Sequence, residues 1–400
     1  MGIAGSPPYA VVLGLDSMQG LQTVRILARR GVPVIGVAAD PGHYACRTRE
    51  CRVVVARDRG ELFDFLESFG KDLTTPAVLI PCQDGRVLSV SRARDELSQW
   101  YRIVLPDEAT VEMLMDKDAF YRFAADRGFP IPETHFVRSR QDAIRAAETL
   151  TFPAILKPPF RTSRWTELTP AKAFTVSDKH DLLAVYDRVS DASETIIAQQ
   201  WIPGGISELY SCNCYFSTEG ELLVSFIARK IRQWPPDTGQ SSLGEEVRND
   251  VVLEESIRLL RSVGYRGLGY VEMKRDPRTD RYYIIEPNVG RPTGRSAIAE
   301  AGGVELLMTM FCDAAGLPLP DHRTQRYTGV KWIHLRRDLL SAVASMRKGE
   351  LTVREWLRSL RGRKGYAVAS WRDPGPFLAE IAQALAIAMG RIFRRKRASS

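Results

Sequence analysis

Apolar positions along this chain repeat with two different periods, and the alternation between them predicts the elements. Over residues 9–40, YAVVLGL is a continuous apolar run, SMQGLQTVRILARRG repeats its apolar positions with helical spacing and stops at Gly31, and VPVIGVAAD is a second continuous run. Strand, helix, strand in that order predicts a βαβ unit and a parallel sheet. Further units follow: strands at 51–56, 77–81 and 101–105, with helices near 61–69 and 86–97, so that a first domain ends near residue 106. A helix is predicted over 107–128, with Asp107 as its N-cap and Pro130 and Pro132 as its stop. Beyond it the period shortens. FPAILKPPF reads as a short buried strand ending on Lys157, residues 158–173 as a polar loop, and IIAQQWIPGG as a strand entering a Pro-Gly turn. SELYSCNCYF and ELLVSFIARKIRQWPP alternate as antiparallel strands do, and 251–263 reads as a helix.

The next stretch, GLGYVEMKRDPRTDRYYIIEPNVGRPTG, predicts a hairpin of strands 268–275 and 282–288. With the apex at Thr279, Glu272 lies opposite Glu286, and Asn288 shares the face of Glu286 because strand side chains alternate. Directly opposed like charges repel, and a hard dication that takes carboxylate, amide and phosphate oxygens would relieve the conflict. The same pattern is also that of a solvent-exposed amphipathic hairpin with two unrelated acids.

Composition narrows the class. The 400 residues are 44% hydrophobic and 26% charged, which suits two or three packed soluble units. No basic start followed by an apolar run opens the chain, and no stretch approaches the roughly 20 apolar residues that span a bilayer, so a cytoplasmic protein is expected. Six cysteines show neither CxxC nor Cys/His metal spacing and read as reduced thiols; the five histidines follow no ligand spacing. Gly14 and Gly20 flank the first turn, but GLDSMQG is not GxGxxG, no GxxxxGK[ST] occurs, and Asp40 closes the second strand. That describes a ligand cleft at a sheet edge and argues against NAD. Net charge is +8, yet residues 321–400 carry 18 Lys/Arg against 6 Asp/Glu, leaving the first 320 at −4. A nucleic-acid-binding body is therefore not expected.

Taken in order, DK before GFPIP, ILKP, QQWIPGG followed by a Glu, and VEMK…IIEPN resemble the ATP-grasp superfamily, particularly its carboxylate–amine ligase branch of D-aspartate ligase-like enzymes. The resemblance covers about residues 9–320. It implies an α/β ATP-grasp fold: a Rossmann-like pre-ATP-grasp domain (1–106), a first subdomain with the lid (107–197), a second subdomain with the metal hairpin (198–320) and a helical basic extension (321–400). It further implies that Lys117 and Lys157 contact ATP phosphates, that Gln199, Gln200, Trp201 and Ile202 form the adenine hinge, and that Glu208 meets the ribose. Glu272, Glu286 and Asn288 would hold Mg²⁺, with Mn²⁺ able to substitute. Small-molecule carboxylate and amine substrates would be joined through an acyl phosphate, which Arg291 stabilises while Gly290 and Gly294 let the backbone approach. Lys230, in the cluster Arg229, Lys230, Arg232, would line the phosphate or substrate; a solvated strand edge explains that cluster as well.

Three departures from the family pattern stand out. The loop PPFRTSRW has no glycine, leaving Arg161, Thr162, Ser163 and Arg164 to serve as lid; the link from Asn288 to Arg291 is one residue longer; and the hinge opens on Gln199 where relatives often have Glu. Carboxylase or carbamoyl-phosphate-type chemistry and a non-catalytic nucleotide-binding scaffold are the alternatives. The final segment puts Phe377, Ile381, Leu385, Ala388 and Ile392 on one helical face before a basic end of Arg391, Arg394, Arg395, Lys396 and Arg397. Two readings stand for it: a docked or frayed terminal helix, or peripheral attachment to the inner, anionic face of a membrane.

Overall fold

The apolar runs at the start of the chain pair into a five-stranded parallel sheet. Its strands are β1 (Ala10–Leu13), β2 (Val34–Ala38), β3 (Arg52–Val55), β4 (Ala77–Pro81) and β5 (Tyr101–Arg102), in the order β3-β2-β1-β4-β5. β1, β2 and β4 are buried along their whole length, which is why they read as unbroken apolar runs. Ser17 caps the helix Met18–Ala28 by accepting from Gly20 N at 3.0 Å. The connections reverse direction between β1 and β4, so a crevice opens at the carboxyl ends of these strands. Asp16 follows β1 and Asp84 follows β4 at that edge. The structure is a computed structural model describing residues 7–160, 162–236 and 239–398, of which 390–398 are described as backbone alone.

The helix expected over 107–128 is two helices, Glu108–Met115 and Lys117–Asp126. Asp107 caps the first as expected. Asp116 leaves helical backbone at ψ 118° and caps the second through its side chain, which accepts from the N–H groups of Asp118 and Ala119. The apolar periodicity runs on across this break, so spacing alone did not reveal it.

An antiparallel sheet follows: β6 (Thr134–Val137), β7 (Ala154–Lys157), β8 (Phe174–Val176) and β9 (Ile196–Gln200), in the order β6-β9-β7-β8. This sheet runs to Gln200, past the boundary expected at 197. Helices Arg140–Thr149 and Lys179–Val189 pack on it to form a small separate core. Within the stretch expected as a loop lies a helix, Ser163–Leu168, capped by Thr162. Its Trp165 is fully buried and donates from Nε1 to the Ala171 carbonyl at 2.8 Å, and that burial orders a polar segment. Arg161, the first residue of the expected lid set, lies outside the described residues.

The largest sheet has seven strands: β10 (Leu209–Phe216), β11 (Leu222–Trp234), β12 (Gln240–Glu246), β13 (Gly267–Asp276), β14 (Arg281–Val289), β15 (Lys331–Ile333) and β16 (Lys364–Tyr366), in the order β14-β13-β10-β11-β12-β15-β16. The segment expected as a basic extension is thus part of this sheet. β15 pairs with β12, and β16 runs parallel to β15. The segment is also fastened to the first domain, where Arg25 Nε pairs with Asp373 Oδ2 at 2.9 Å, both side chains buried. Asp373 also accepts from Thr48 Oγ1 at 2.6 Å. A shared core ties the first sheet to the seven-stranded one through the helices Met18–Ala28 and Leu306–Ala315 and through Trp332. All six cysteines are free, and Cys212 and Cys214 lie buried with their sulfurs 3.3 Å apart. Among the described residues no helix is long and apolar enough to cross a membrane.

Candidate active site

Glu272 and Glu286 are direct partners across β13 and β14, as the sequence predicts, but the turn and a bulge divide the work of bringing them there. Next to the turn the pairs are Asp276 with Arg281 and Met273 with Ile284, so the hairpin is centred between Arg278 and Thr279. A bulge at Ile285 then shifts the register by one. Without it Glu286 would oppose Val271 and point to the other face, since one residue of slip inverts a strand's side chains. The bulged residue is held from outside the sheet: its carbonyl accepts from the Tyr121 hydroxyl at 2.6 Å, while Ile284 N donates to the Pro130 carbonyl at 2.7 Å. Helix Lys117–Asp126 and the chain after it therefore fix the orientation of Glu286.

The opposed acids need no metal to coexist, contrary to the charge argument from sequence. Glu272 accepts from Arg295 Nη2 at 2.9 Å and from the Tyr270 hydroxyl at 2.8 Å, with Lys230 Nζ at 3.6 Å. Burial raises the Glu272 carboxyl, but Lys230, Arg295 and the Tyr270 hydroxyl outweigh that and hold it well below the usual carboxylate range. Burial lowers the Lys230 ammonium, which Glu272 opposes and Arg295 reinforces. Burial holds the Tyr270 phenol well above its usual range, so it is a hydrogen-bond donor at neutral pH.

From the neighbouring sheet, Lys157 at the end of β7 donates to Gln199 Oε1 at 2.8 Å and to the Tyr121 hydroxyl at 3.3 Å. Burial pushes this ammonium down to about 8, and the nearby charge of Glu286 offsets that only in part. Gln199 is itself buried and donates to Thr134 Oγ1 at 2.8 Å. The amide orients the lysine without adding a charge of its own. Gln200 ends β9 and Ile202 is buried, while Trp201 is exposed with Lys274 Nζ 4.7 Å above its ring. Glu208 stands 3.4 Å from Arg275. Lys117 opens the helix that carries Tyr121 one turn on.

Asn288 Oδ1 accepts from Arg291 Nη2 at 2.5 Å, and Arg291 also pairs with Asp84 at the crevice of the first sheet. Gly290 was expected to let the backbone approach a ligand; its closeness is instead to the first domain. It has φ +66°, and a Cβ there would sit 2.3 Å from Leu105. A Cβ on Gly294 would meet Trp332 at 3.3 Å. The basic cluster divides three ways. Arg229 pairs with Glu245, Lys230 joins Glu272, and Arg232 is buried in a two-pronged bond to Asp338.

Sequence reasoning missed Arg295, Tyr270 and Tyr121. The i, i+2 spacing of Tyr270 and Glu272 on one strand face was a usable signal for the tyrosine. Arg295 had none beyond its place in GRPTGR, because the turn that brings it back is tertiary. No cluster of three or more His, Cys, Asp or Glu capable of holding a metal occurs among the described residues. Two carboxylates and an amide suit a hard dication that shares its shell with phosphate and water, so the residues fit Mg²⁺ once Arg291 releases Asn288.

Residues 240–322 match the family model for the carbamoyl-phosphate synthase L chain, ATP-binding domain. The chain is 24% identical over 238 residues to a D-aspartate ligase of Enterococcus faecium, covering 56% of this chain and 55% of that one. It is also 24% identical over 216 residues to the C-terminal section of a Methanopyrus kandleri carbamoyl phosphate synthase large chain, covering 51% and 38%. The chain thus spans about half or less of the length of these relatives. In fold it is similar to N5-carboxyaminoimidazole synthetase from Staphylococcus aureus, with TM-score 0.63, 13% identity and 82% of each chain covered. Biotin carboxylase from Campylobacter jejuni gives TM-score 0.62, 15% identity, and 80% and 74% covered. The chain therefore has the ATP-grasp fold, and in sequence it is similar to a D-aspartate ligase and to carbamoyl phosphate synthase.

Proposed function

We propose that this protein is a ligase that activates a carboxylate as an acyl phosphate at the expense of ATP and joins it to an amine, releasing ADP and phosphate. The observation that carries the reading is the meeting of Lys157, Lys230 and Arg295 around the Glu272–Glu286 pair, with the β9 hinge beside them. ATP bound with Mg²⁺, or with Mn²⁺ in its stead, would supply the phosphoryl group. Lys117 and Lys157 hold phosphate oxygens as point charges, and Gln199 keeps Lys157 aimed. Gln200, Trp201 and Ile202 border the adenine and Glu208 the ribose, while Glu272, Glu286 and Asn288 hold the cation. A substrate carboxylate oxygen bonds to the γ-phosphorus as the bond to the β,γ-bridging oxygen breaks. The amine nitrogen then bonds to the acyl carbon, the carbon–oxygen bond to phosphate breaks, and the nitrogen sheds its proton to solvent. Arg291, freed from Asn288, and Lys230 balance the charge that gathers on the transferred phosphoryl oxygens.

The name of the Enterococcus relative supports an amino acid among the substrates. The reaction belongs to the cytoplasm, where ATP is regenerated. The match over 240–322 favours carbamoyl-phosphate-type chemistry as the second reading. Phosphate release from ATP with pools of amino acids and other carboxylates separates the two. Release that requires a carboxylate and an amine together supports the ligase, and release with bicarbonate alone supports the second reading. An ATP-binding protein that turns over in no pool sinks both.

A further inference from the structure

Thirteen of the twenty exposed large apolar side chains among the described residues fall between residues 335 and 389. They follow a rule opposite to that of a soluble fold. Helix Leu335–Arg347 buries Asp338, Ser341 and Ala342 and turns Leu335, Leu339, Leu340 and Val343 outward, an apolar stripe at helical spacing with Leu339 51% exposed. Helix Val353–Ser359 exposes Val353 and Leu357. In helix Gly375–Ala398 the inward side carries Glu380, while Leu378, Ile381 and Leu385 face out. Side chains link the three helices. Trp356 Nε1 donates to Asp338 at 3.0 Å, and Arg336 pairs with Glu380 at 2.8 Å, so the first helix is tied to both others.

We propose that the outward side of these helices is the seat of an anionic lipid surface, on which the protein lies without crossing it. The occupant follows from charge: residues 321–400 carry 18 Lys/Arg against 6 Asp/Glu, whereas the rest of the chain is net acidic. A groove of about 450 Å³ joins the two features, with Val353 and Leu357 beside Arg354, Arg358 and Arg361, a setting for an acyl chain next to its phosphate. Apolar stripes flanked by arginines bind the interface of anionic bilayers, the stripes entering the headgroup boundary and the cations meeting the phosphates. The outward face differs in part from the one read from sequence. Phe377 turns toward the core, and Ile392, Arg391, Arg394, Arg395, Lys396 and Arg397 lie beyond the described side chains. The attachment surface is therefore built mainly from the docked helices.

The test is co-sedimentation of the full chain with vesicles of phosphatidylcholine alone or mixed with phosphatidylglycerol. Binding to the mixed vesicles only is expected, and Leu339→Glu with Leu357→Glu should weaken it about tenfold or more, since the stripes supply the inserted area. Thermal melting and ATP turnover should stay at the parent's values. Parent protein left in the supernatant with mixed vesicles overturns the proposal, as does undiminished binding by the double variant. A parent dimer in sedimentation velocity that the same variant dissolves would assign the stripes to a second copy and overturn it too. The sedimentation needs no ATP, so its failure leaves the ligase reading untouched.

Discussion

Opposite charges buried in this molecule are held in two different ways. Around Asp338 every strong group is answered: Arg232 bonds both carboxylate oxygens, its remaining arm reaches Ser359 Oγ at 2.8 Å, and Trp356 donates to the same acid. Arg25 and Asp373 are closed in the same way, with Val368 and Asp373 carbonyls taking the other guanidinium donors. The hairpin site is open. Glu272 is held by two cations, yet Glu286 and Asn288 lie beside it on the hairpin, and Lys157 is aimed by a neutral amide. A closed network fastens segments that are far apart in sequence. An open one, with cations assembled around acids and no internal closure, is poised for a ligand that brings phosphates and a metal.

The comparison breaks first on stability. Asp338→Ala should strand Arg232 in the interior and lower unfolding free energy by about 3–5 kcal/mol, with turnover per folded molecule retained. Urea unfolding checks it, and a cost under about 1 kcal/mol would mean that the closed network is not closed. Glu286→Gln should do the reverse. Turnover should fall by roughly two orders of magnitude or more, the scale of losing one charge-organising group, with the melting curve kept; unchanged turnover would put the metal elsewhere.

Mg²⁺ with ATP should raise the parent's melting temperature in a concentration-dependent way, by about 2.7 kcal/mol of stability at a hundredfold excess over Kd. The Glu286→Gln variant should lose most of that gain in differential scanning fluorimetry. The pH profile sharpens the role of Lys157. Its folded pKa, near 8, lies below the ordinary lysine value, so the folded protein releases this proton before the unfolded chain does. Its contribution to stability therefore grows as pH rises from about 8, while KM for ATP should rise over the same range as the charge is lost. Lys157→Arg should flatten that rise. The smallest effect expected is for Gln199→Leu, which removes one hydrogen bond to the lysine, worth about 1 kcal/mol, and should raise KM for ATP severalfold with little change in kcat.

Much of the fold was legible because burial dictates it locally. The unbroken runs of β1, β2 and β4 could only be strands covered on both faces, and the Asp107 cap and the Gly31 stop bounded their helices. The Glu272–Glu286 pairing was also reached from the sequence, though by assuming a symmetric turn where a bulge performs the shift. The helix break at Asp116 escaped because apolar spacing continues across it. The helix Ser163–Leu168 escaped because a single buried tryptophan orders an otherwise polar stretch. That the basic extension joins the large sheet escaped, since strands as short as β15 and β16 carry too few residues to name their partners.

By itself, then, the sequence determined which stretches are strands and helices, which lysine ends a buried strand, and which acids share a hairpin face. These follow from side-chain periodicity and the cost of burying charge. Only the tertiary structure decided that Tyr121 and Pro130 hold the bulge, that Arg295 returns to Glu272, and that the C-terminal segment closes the sheet with its apolar stripes outward. Each of those joins residues distant along the chain, and no local pattern of hydrophobicity encodes which distant group will answer a buried charge.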